Sequence, residues 1–417
     1  MSTPSLSNYL SAQKPRFLAN QGRGWTIVMG NEAGDLDSLA SSIAYAWLLS
    51  HTTAPAIALL TTACQDFVLR AENVYALQLA GIGEQFQGLL CPEDLPKPNL
   101  CTSYALVDHN SLHPDYAKPN TQVVAVVDHH QDEGKYLDTA SPRIIEPSGS
   151  CASLVTGLIM SYPALRIPAE LATLLLCAIL VDTQGLRKGG KALNMDHKAA
   201  AWLLPWSNAS LSDGVLVQTT GTSVALSDHP LIQSLSSTLS AKKLAVSHLT
   251  PRDLLRRDYK EYNLNFSSSV SSSHASPMKA GLATVPLRFS SFFSPSPTSA
   301  VTAVQDWMKE RGLSVLGVLT TFRSRKDKGK REQMWVVDEQ SSKRQLSQSL
   351  FSGLEAKEVL QLKSAKFKRY GFKDHGKIEQ SDESPFSAPF VARIYKQKNT
   401  SATRKLVAPI LKQILEG

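Results

Sequence analysis

The feature that most limits how this chain can fold is a pair of short apolar runs that each stop on an aspartate. Residues 104–107 (YALV) lead into Asp108, and residues 123–127 (VVAVV) lead into Asp128. Apolar runs this short, with no polar alternation, read as strands buried on both faces, and such strands belong to parallel sheets covered by helices. Residues 25–29 (WTIVM), ending at Gly30-Asn31, and 56–60 extend the pattern. Helix-like stretches over 36–49, 151–160 and 171–181 supply the crossovers. The fold class predicted is α/β, a mostly parallel sheet flanked by helices. In open sheets of this kind ligands bind beyond the carboxyl ends of the strands, so Asn31, Asp108 and Asp128 are expected along one edge.

Four segments place chemistry at that edge. Residues 30–38 (GNEAGDLDS) carry Asp35 and Asp37, 105–110 (ALVDHN) carry Asp108, 126–134 (VVDHHQDEG) carry Asp128, His129 and His130, and 179–185 (ILVDTQG) carry Asp182. A single aspartate after a strand is most often a helix cap or a turn residue. Four such segments in order are better read as carboxylate and imidazole ligands for Mn²⁺, Mg²⁺, Co²⁺ or Zn²⁺. Two ions about 3.5–4 Å apart can share a water, lower its pKa and clamp a phosphoryl group, which requires a bridging carboxylate. Asp108 is the candidate bridge. Gly149-Ser150-Cys151 precedes a helix, so its amides could take a phosphate, or Ser150 could simply be an N-cap.

At 417 residues two domains are expected, divided as 1–225 and 226–417, with the looser stretch 214–228 as the connection. No apolar run reaches the roughly 18–20 residues that cross a bilayer. The N-terminal stretch lacks a secretory pattern, and five cysteines (64, 91, 101, 151, 177) without a C-x-x-C spacing read as reduced thiols of a cytoplasmic protein. The net charge of +8 hides a split: residues 1–240 hold 13 Lys+Arg against 20 Asp+Glu, and residues 241–417 hold 31 against 16. An acidic half suited to cations is thus followed by a basic half suited to a polyanion. In that half 251–262 is helix-like, 267–299 is a serine-rich, low-complexity insertion, 298–309 is a helix and 406–415 an amphipathic helix. Residues 313–321 and 334–337 form a hairpin whose turn carries Arg323, Arg325, Lys326, Lys328, Lys330 and Arg331. A second cluster is Lys363, Lys366, Lys368, Arg369 and Lys373. Both clusters fit substrate contact or solvated loops.

The order GNxxxDLDS, VDHN, VDHH, GSCAS and VDT resembles the DHH phosphoesterase superfamily over most of residues 25–190. LLRRDYKEY (254–262) and TRKLVAPIL (403–411) resemble the smaller α+β DHHA2 domain of family II inorganic pyrophosphatases, fungal-type exopolyphosphatases and prune proteins. The resemblance implies an active site in the cleft between the two domains. It implies one divalent ion on Asp35 and Asp108 and a second on Asp37, Asp108, His129 and Asp182. Asp128 would orient the histidines, His130 would face the substrate phosphate, and Lys260, Arg404 and Lys405 would reach the substrate. Family II pyrophosphatases carry histidine where this chain has Asn31, which points away from a dedicated pyrophosphatase and leaves Mg²⁺ beside Mn²⁺, with Co²⁺ as a third choice. The reading is a monomeric exopolyphosphatase acting on inorganic polyphosphate, with no membrane or nucleic-acid partner. The alternatives are a prune-like short-chain or nucleotide activity, a family II-type pyrophosphatase, and a non-catalytic polyanion-binding scaffold.

Overall fold

The computed structural model describes residues 5–83, 86–208, 225–266, 276–294, 296–326, 328–339, 345–372 and 384–417. The chain divides into two compact units, Met1–Ala245 and Val246–Gly417. In the first, strands β1 (Thr26–Met29), β2 (Ala56–Leu59), β3 (Ser103–Val107), β4 (Gln122–Asp128) and β5 (Arg143–Ile145) pair in parallel in the order β2-β1-β3-β4-β5. The chain leaves β1 for β2 on one side and returns to β3 on the other. The β1–β3 edge is therefore the switch point, where loops diverge and leave a crevice.

Around this sheet lie α1 (Leu6–Ala19), α2 (Leu36–Thr52), α3 (Ala71–Leu79), α4 (Cys151–Met160), α5 (Ala169–Thr183), α6 (Asn194–Leu203) and α7 (Pro230–Leu244). One face of the sheet, with Val28, Ala58, Ala105, Val107 and Val127, packs on α2, α4 and α5. The other, with Ile27, Met29, Leu59, Tyr104 and Leu106, packs on Phe17 of α1, Leu90 and Cys101. Both faces are dry, which is why the strands read as unbroken apolar runs. The unit boundary at Ala245/Val246 falls later than the 225/226 division read from sequence, because Ile232, Leu235 and Leu239 of α7 are buried in the first unit's core. Most of the expected 214–228 connection lies outside the described residues.

The five-free-thiol expectation is overturned. Cys64 and Cys91 form a disulfide with Cα atoms 5.9 Å apart, while Cys101, Cys151 and Cys177 are free and buried. The pair is 27 residues apart and follows no local spacing. Tertiary pairing creates it: Leu90 runs beside the end of β2, bridged to Leu59, and so carries Cys91 to the turn after β2.

The second unit is a mixed sheet of β6 (Tyr259–Phe266), β7 (Ser276–Val285), β8 (Val315–Thr320), β10 (Gly329–Asp338), β11 (Leu362–Ala365) and β12 (Phe390–Gln397), ordered β11-β12-β10-β8-β7-β6, with β9 (Phe322–Arg323) paired to β10. Helices α8 (Pro251–Arg257), α9 (Phe289–Phe292) and α10 (Pro297–Arg311) cover one face, and α11 (Gln345–Ala356) and α12 (Arg404–Glu416) the other. Two expectations are corrected here. The 251–262 helix stops at Arg257, and Tyr259 opens a strand. The serine-rich insertion is ordered from Ser276 onward as β7, an interior strand paired to β6 and β8, while 267–275 lie outside the described residues. Small residues hid its alternation: Met278, Ala280 and Leu282 face one core, and Ala283 and Val285 the other. Among the described residues, no helix is long and apolar enough to cross a membrane.

Candidate metal centre

The centre grows out of the carboxyl ends of β1, β3 and β4. Gly30 follows β1, and a Cβ there would lie 2.5 Å from the Cβ of Ser38, so only glycine lets the first turn of α2 close over the loop. Asn31 is 3% exposed. Its amide donates to Asp108 Oδ2 at 2.7 Å, and its carbonyl oxygen accepts from Ala33 N at 2.9 Å. Arg70 and Asn73 hold the same loop by donating to the carbonyls of Ala33 and Gly34. Asp35 is the N-cap of α2, accepting from Ser38 N at 3.0 Å. Asp37, in the first turn of α2, is buried.

Asp108 lies just past β3 in the left-handed region, with φ of +59°. Its amide donates to Val127 O, which ties it to β4, and its Oδ2 accepts from Ser38 Oγ at 2.6 Å as well as from Asn31. Oδ1 faces the histidines, 3.3 Å from His129 Nε2 and 3.6 Å from His130 Nδ1. His129 Nε2 is also 3.9 Å from Asp37 Oδ2. His129 Nδ1 lies 3.0 Å from the carbonyl of Ser148. A carbonyl only accepts, so Nδ1 carries the proton and the Nε2 lone pair is turned toward the carboxylates.

Asp128, the last residue of β4, is fully buried. Its Oδ1 accepts from His129 N at 2.7 Å and lies 2.7 Å from His130 Nδ1, while its Oδ2 accepts from Asn110 at 2.6 Å. The His130 ring is thereby held through Nδ1, which leaves Nε2 for another partner. Asp182 ends α5 and sits 3.6 Å from Lys243 Nζ at the end of α7.

The carboxylates disturb one another. Burial, with the charges of Asp108 and Asp182, pushes Asp37 well above the usual carboxylate range and raises Asp35 in the same way. Burial acts upward on Asp108 too, but the adjoining His129 and His130 rings outweigh it and hold Asp108 below that range. Asp128 is likewise lowered against burial, by His130 and Asn110. Buried carboxylates that raise each other's pKa, set beside imidazole nitrogens, are a donor set that cations would stabilise, and oxygen with nitrogen ligands fits Mn²⁺, Mg²⁺ or Co²⁺. Ligand atoms of Asp108, His129 and His130 all lie within 4.8 Å of one another.

The 149–151 segment does something other than either sequence reading. Ser150 makes no side-chain cap within its own helix. Its Oγ donates to Asp37 at 2.7 Å, as do Cys151 N (2.7 Å) and Ala152 N (2.8 Å), so the Asp37 carboxylate itself caps α4. The amides of Gly149 and Ser150 donate to Asp196. Asp37 and Asp196 thus use the donors expected to meet phosphate. Ser38 and Asn110 stand inside the quoted motifs and could have been found by asking what orients each carboxylate; Ser148 and Asp196 had no local signal.

In the second unit Arg404 opens α12, its guanidinium 2.8 Å from Asp258 Oδ1 and donating to the Asp258 carbonyl. Asp258 precedes β6, which carries Lys260 two residues on, so tertiary packing brings Arg404 near Lys260, with Lys405 exposed beside it. Across β12 and β11, Lys396 and Lys363 stand directly opposite, both exposed. Lys373 lies outside the described residues.

Residues 25–179 match the DHH family, N-terminal domain, and residues 237–414 match the DHHA2 domain. The chain is 33% identical over 261 residues to a Schizosaccharomyces pombe protein provisionally named an exopolyphosphatase, covering 57% of this chain and 60% of that protein. It is 29% identical over 262 residues to Exopolyphosphatase PRUNE1 of Rattus norvegicus, covering 61% of this chain and 53% of that protein. The matches therefore span between half and three fifths of these relatives' own length. The crystal structure of a Methanococcus jannaschii protein, provisionally assigned as a family II inorganic pyrophosphatase, superposes with a TM-score of 0.55 at 18% identity, covering 94% of this chain and 100% of that one; this likeness is one of fold.

Proposed function

The chain belongs to the DHH proteins that carry a DHHA2 domain, and on that premise we propose that it is an exopolyphosphatase, a metal-dependent hydrolase releasing terminal orthophosphate from inorganic polyphosphate. Asp35 and Asp108 would hold one divalent ion, and Asp37, Asp108, His129 and Asp182 a second, Mn²⁺ or Mg²⁺ with Co²⁺ able to substitute. When bound, the ions supply a water of lowered pKa and positive charge beside the phosphoryl oxygens.

This chain's own groups do the rest. Asp128 holds the His130 ring, so that Nε2 can stabilise or protonate the leaving oxygen. Arg404 grips phosphate oxygens through its planar fork, and Lys260 and Lys405 add point charge for the departing chain. The observation that carries the reading is the division of labour on Asp108. Asn31 and Ser38 occupy Oδ2, and Oδ1 is left facing His129 and His130. A carboxylate that only capped a turn would have no use for that arrangement.

A substrate panel tests the proposal: long-chain polyphosphate, tripolyphosphate, pyrophosphate, cyclic AMP and single-stranded DNA, each with Mg²⁺ or Mn²⁺. Turnover is expected on the first two, little on pyrophosphate and none on DNA. Preferred hydrolysis of pyrophosphate would replace the reading with a family II-type pyrophosphatase. Binding of polyphosphate with no release under any divalent ion would replace it with a polyanion-binding scaffold.

A further inference from the structure

Asp196 is fully buried, yet the four groups that donate to it are all neutral. It receives Gly149 N at 2.8 Å, Ser150 N at 3.2 Å, Ser153 Oγ at 2.6 Å and Leu193 N at 2.7 Å. The last is the N-cap amide of its own helix α6, the return half of a capping box, and it uses only that one bond. The other three belong to the turn into α4. A buried carboxylate is costly unless its oxygens are fully used, and here most of the compensation comes from one segment, 149–153. The fit is close: a Cβ on Gly149 would stand 2.8 Å from Asp196 Oδ2 and 2.6 Å from the Thr183 methyl.

What that segment holds gives Asp196 its meaning. Ser148, one residue before the pinned amides, presents the carbonyl that fixes the His129 tautomer. Ser150 Oγ, Cys151 N and Ala152 N, just after them, take both oxygens of Asp37. His129 follows β4 and Asp37 lies in the first turn of α2, so the two come from distant parts of the chain. The turn 148–152 is the piece that holds both.

We infer that Asp196 is a positioning residue for the metal centre: by pinning the 148–152 turn it sets the orientation of Asp37 and His129 together. The inference rests on the metal-centre reading above. It differs from a stability role in what it moves. A helix cap changes unfolding, whereas a residue that orients ligands also changes ion affinity, by about 10–100-fold when such support is removed.

The test titrates Mn²⁺ into wild-type protein and Asp196→Asn, following free Mn²⁺ by electron paramagnetic resonance, and measures amide hydrogen exchange of Cys151 and Ala152 in chelator. The asparagine keeps the shape but turns an N–H₂ toward donors. Mn²⁺ affinity is expected to fall about 10–100-fold, and exchange at the two amides to quicken about 10-fold or more, since their acceptor is released. Equal Mn²⁺ affinity in folded Asp196→Asn overturns the inference, and so does unchanged exchange. Should Asp196→Asn not fold, Ser153→Ala removes one donor from Asp196 without touching a ligand. It should weaken Mn²⁺ binding by about 3-fold, the scale of one hydrogen bond, and unaltered binding there counts against the inference. A wild-type protein that takes up no Mn²⁺ would sink the metal-centre reading instead, and the exchange arm then decides the positioning role by itself.

Discussion

Asp108 combines an uncommon backbone conformation with an uncommon charge environment. At φ of +59° most L side chains crowd the following carbonyl, whereas aspartate and asparagine tolerate the region best. Asp108→Asn therefore keeps the backbone preference and the volume while removing the charge. It is expected to lower phosphate release by at least about 100-fold, the upper end for loss of metal-centre support, with the melting temperature in chelator lowered. The second expectation follows from the cluster. Asp108 is held below the usual carboxylate range, so its charge stabilises the folded chain at neutral pH, and losing it also disturbs the acceptor shared by Asn31 and Ser38. Calorimetry in chelator beside a phosphate-release assay checks both, and near-normal release would show that Asp108 bridges nothing.

At the scale of elements, β6 and α10 are tied by Glu261. It accepts from Arg311 and from Tyr259, and pairs with Lys279 on the neighbouring strand at 3.3 Å. Burial alone would raise the Glu261 pKa, but Arg311 and Lys279 overcome it and hold the group below its ordinary 4.5. A carboxylate lowered in the folded state adds stability that is present above the unfolded pKa and is lost as pH falls through the folded one. Glu261→Gln should therefore cost about 1 kcal/mol at pH 7, a modest value because Arg311 is partly exposed. The gap should close as the pH drops below about 4. Urea unfolding at several pH values reads this directly; a pH-independent gap would mean that packing, not charge, is lost. The same region shows why β6 and β7 were missed in sequence. DYKEYNLNF is charged and SPMKAGLATV is rich in small residues, so neither has the apolar run that marked β3 and β4. Each is a strand because the sheet recruits it: β7 pairs on both sides, and β6 extends the edge beside it.

Charge is organised at the scale of the whole chain, with the acidic excess in residues 1–240 and the basic excess in 241–417. On the second unit's sheet, Lys363 and Lys396 stand side by side, an unfavourable cross-strand pair that an extended polyanion would relieve. Replacing both by glutamine should raise KM for long-chain polyphosphate several-fold at low salt and leave tripolyphosphate nearly unchanged. The difference should shrink as added salt shortens the reach of the charges to about one Debye length, ~10 Å at 0.1 M. An equal effect on both substrates would remove the long-chain role from this pair. The residues proposed as metal ligands stood out in the sequence because each closes a strand or opens or ends a helix whose apolar pattern is local: Asp35 and Asp37 at the start of α2, Asp108 after β3, His129 after β4, Asp182 near the end of α5. The parallel sheet followed for the same reason, since strands buried on both faces must be apolar throughout. The bonds that aim those ligands cross between distant segments and leave no periodicity behind. Asp196 reaching Gly149, Ser148 reaching His129 and Cys64 meeting Cys91 were decided only when the sheet brought them within bonding distance.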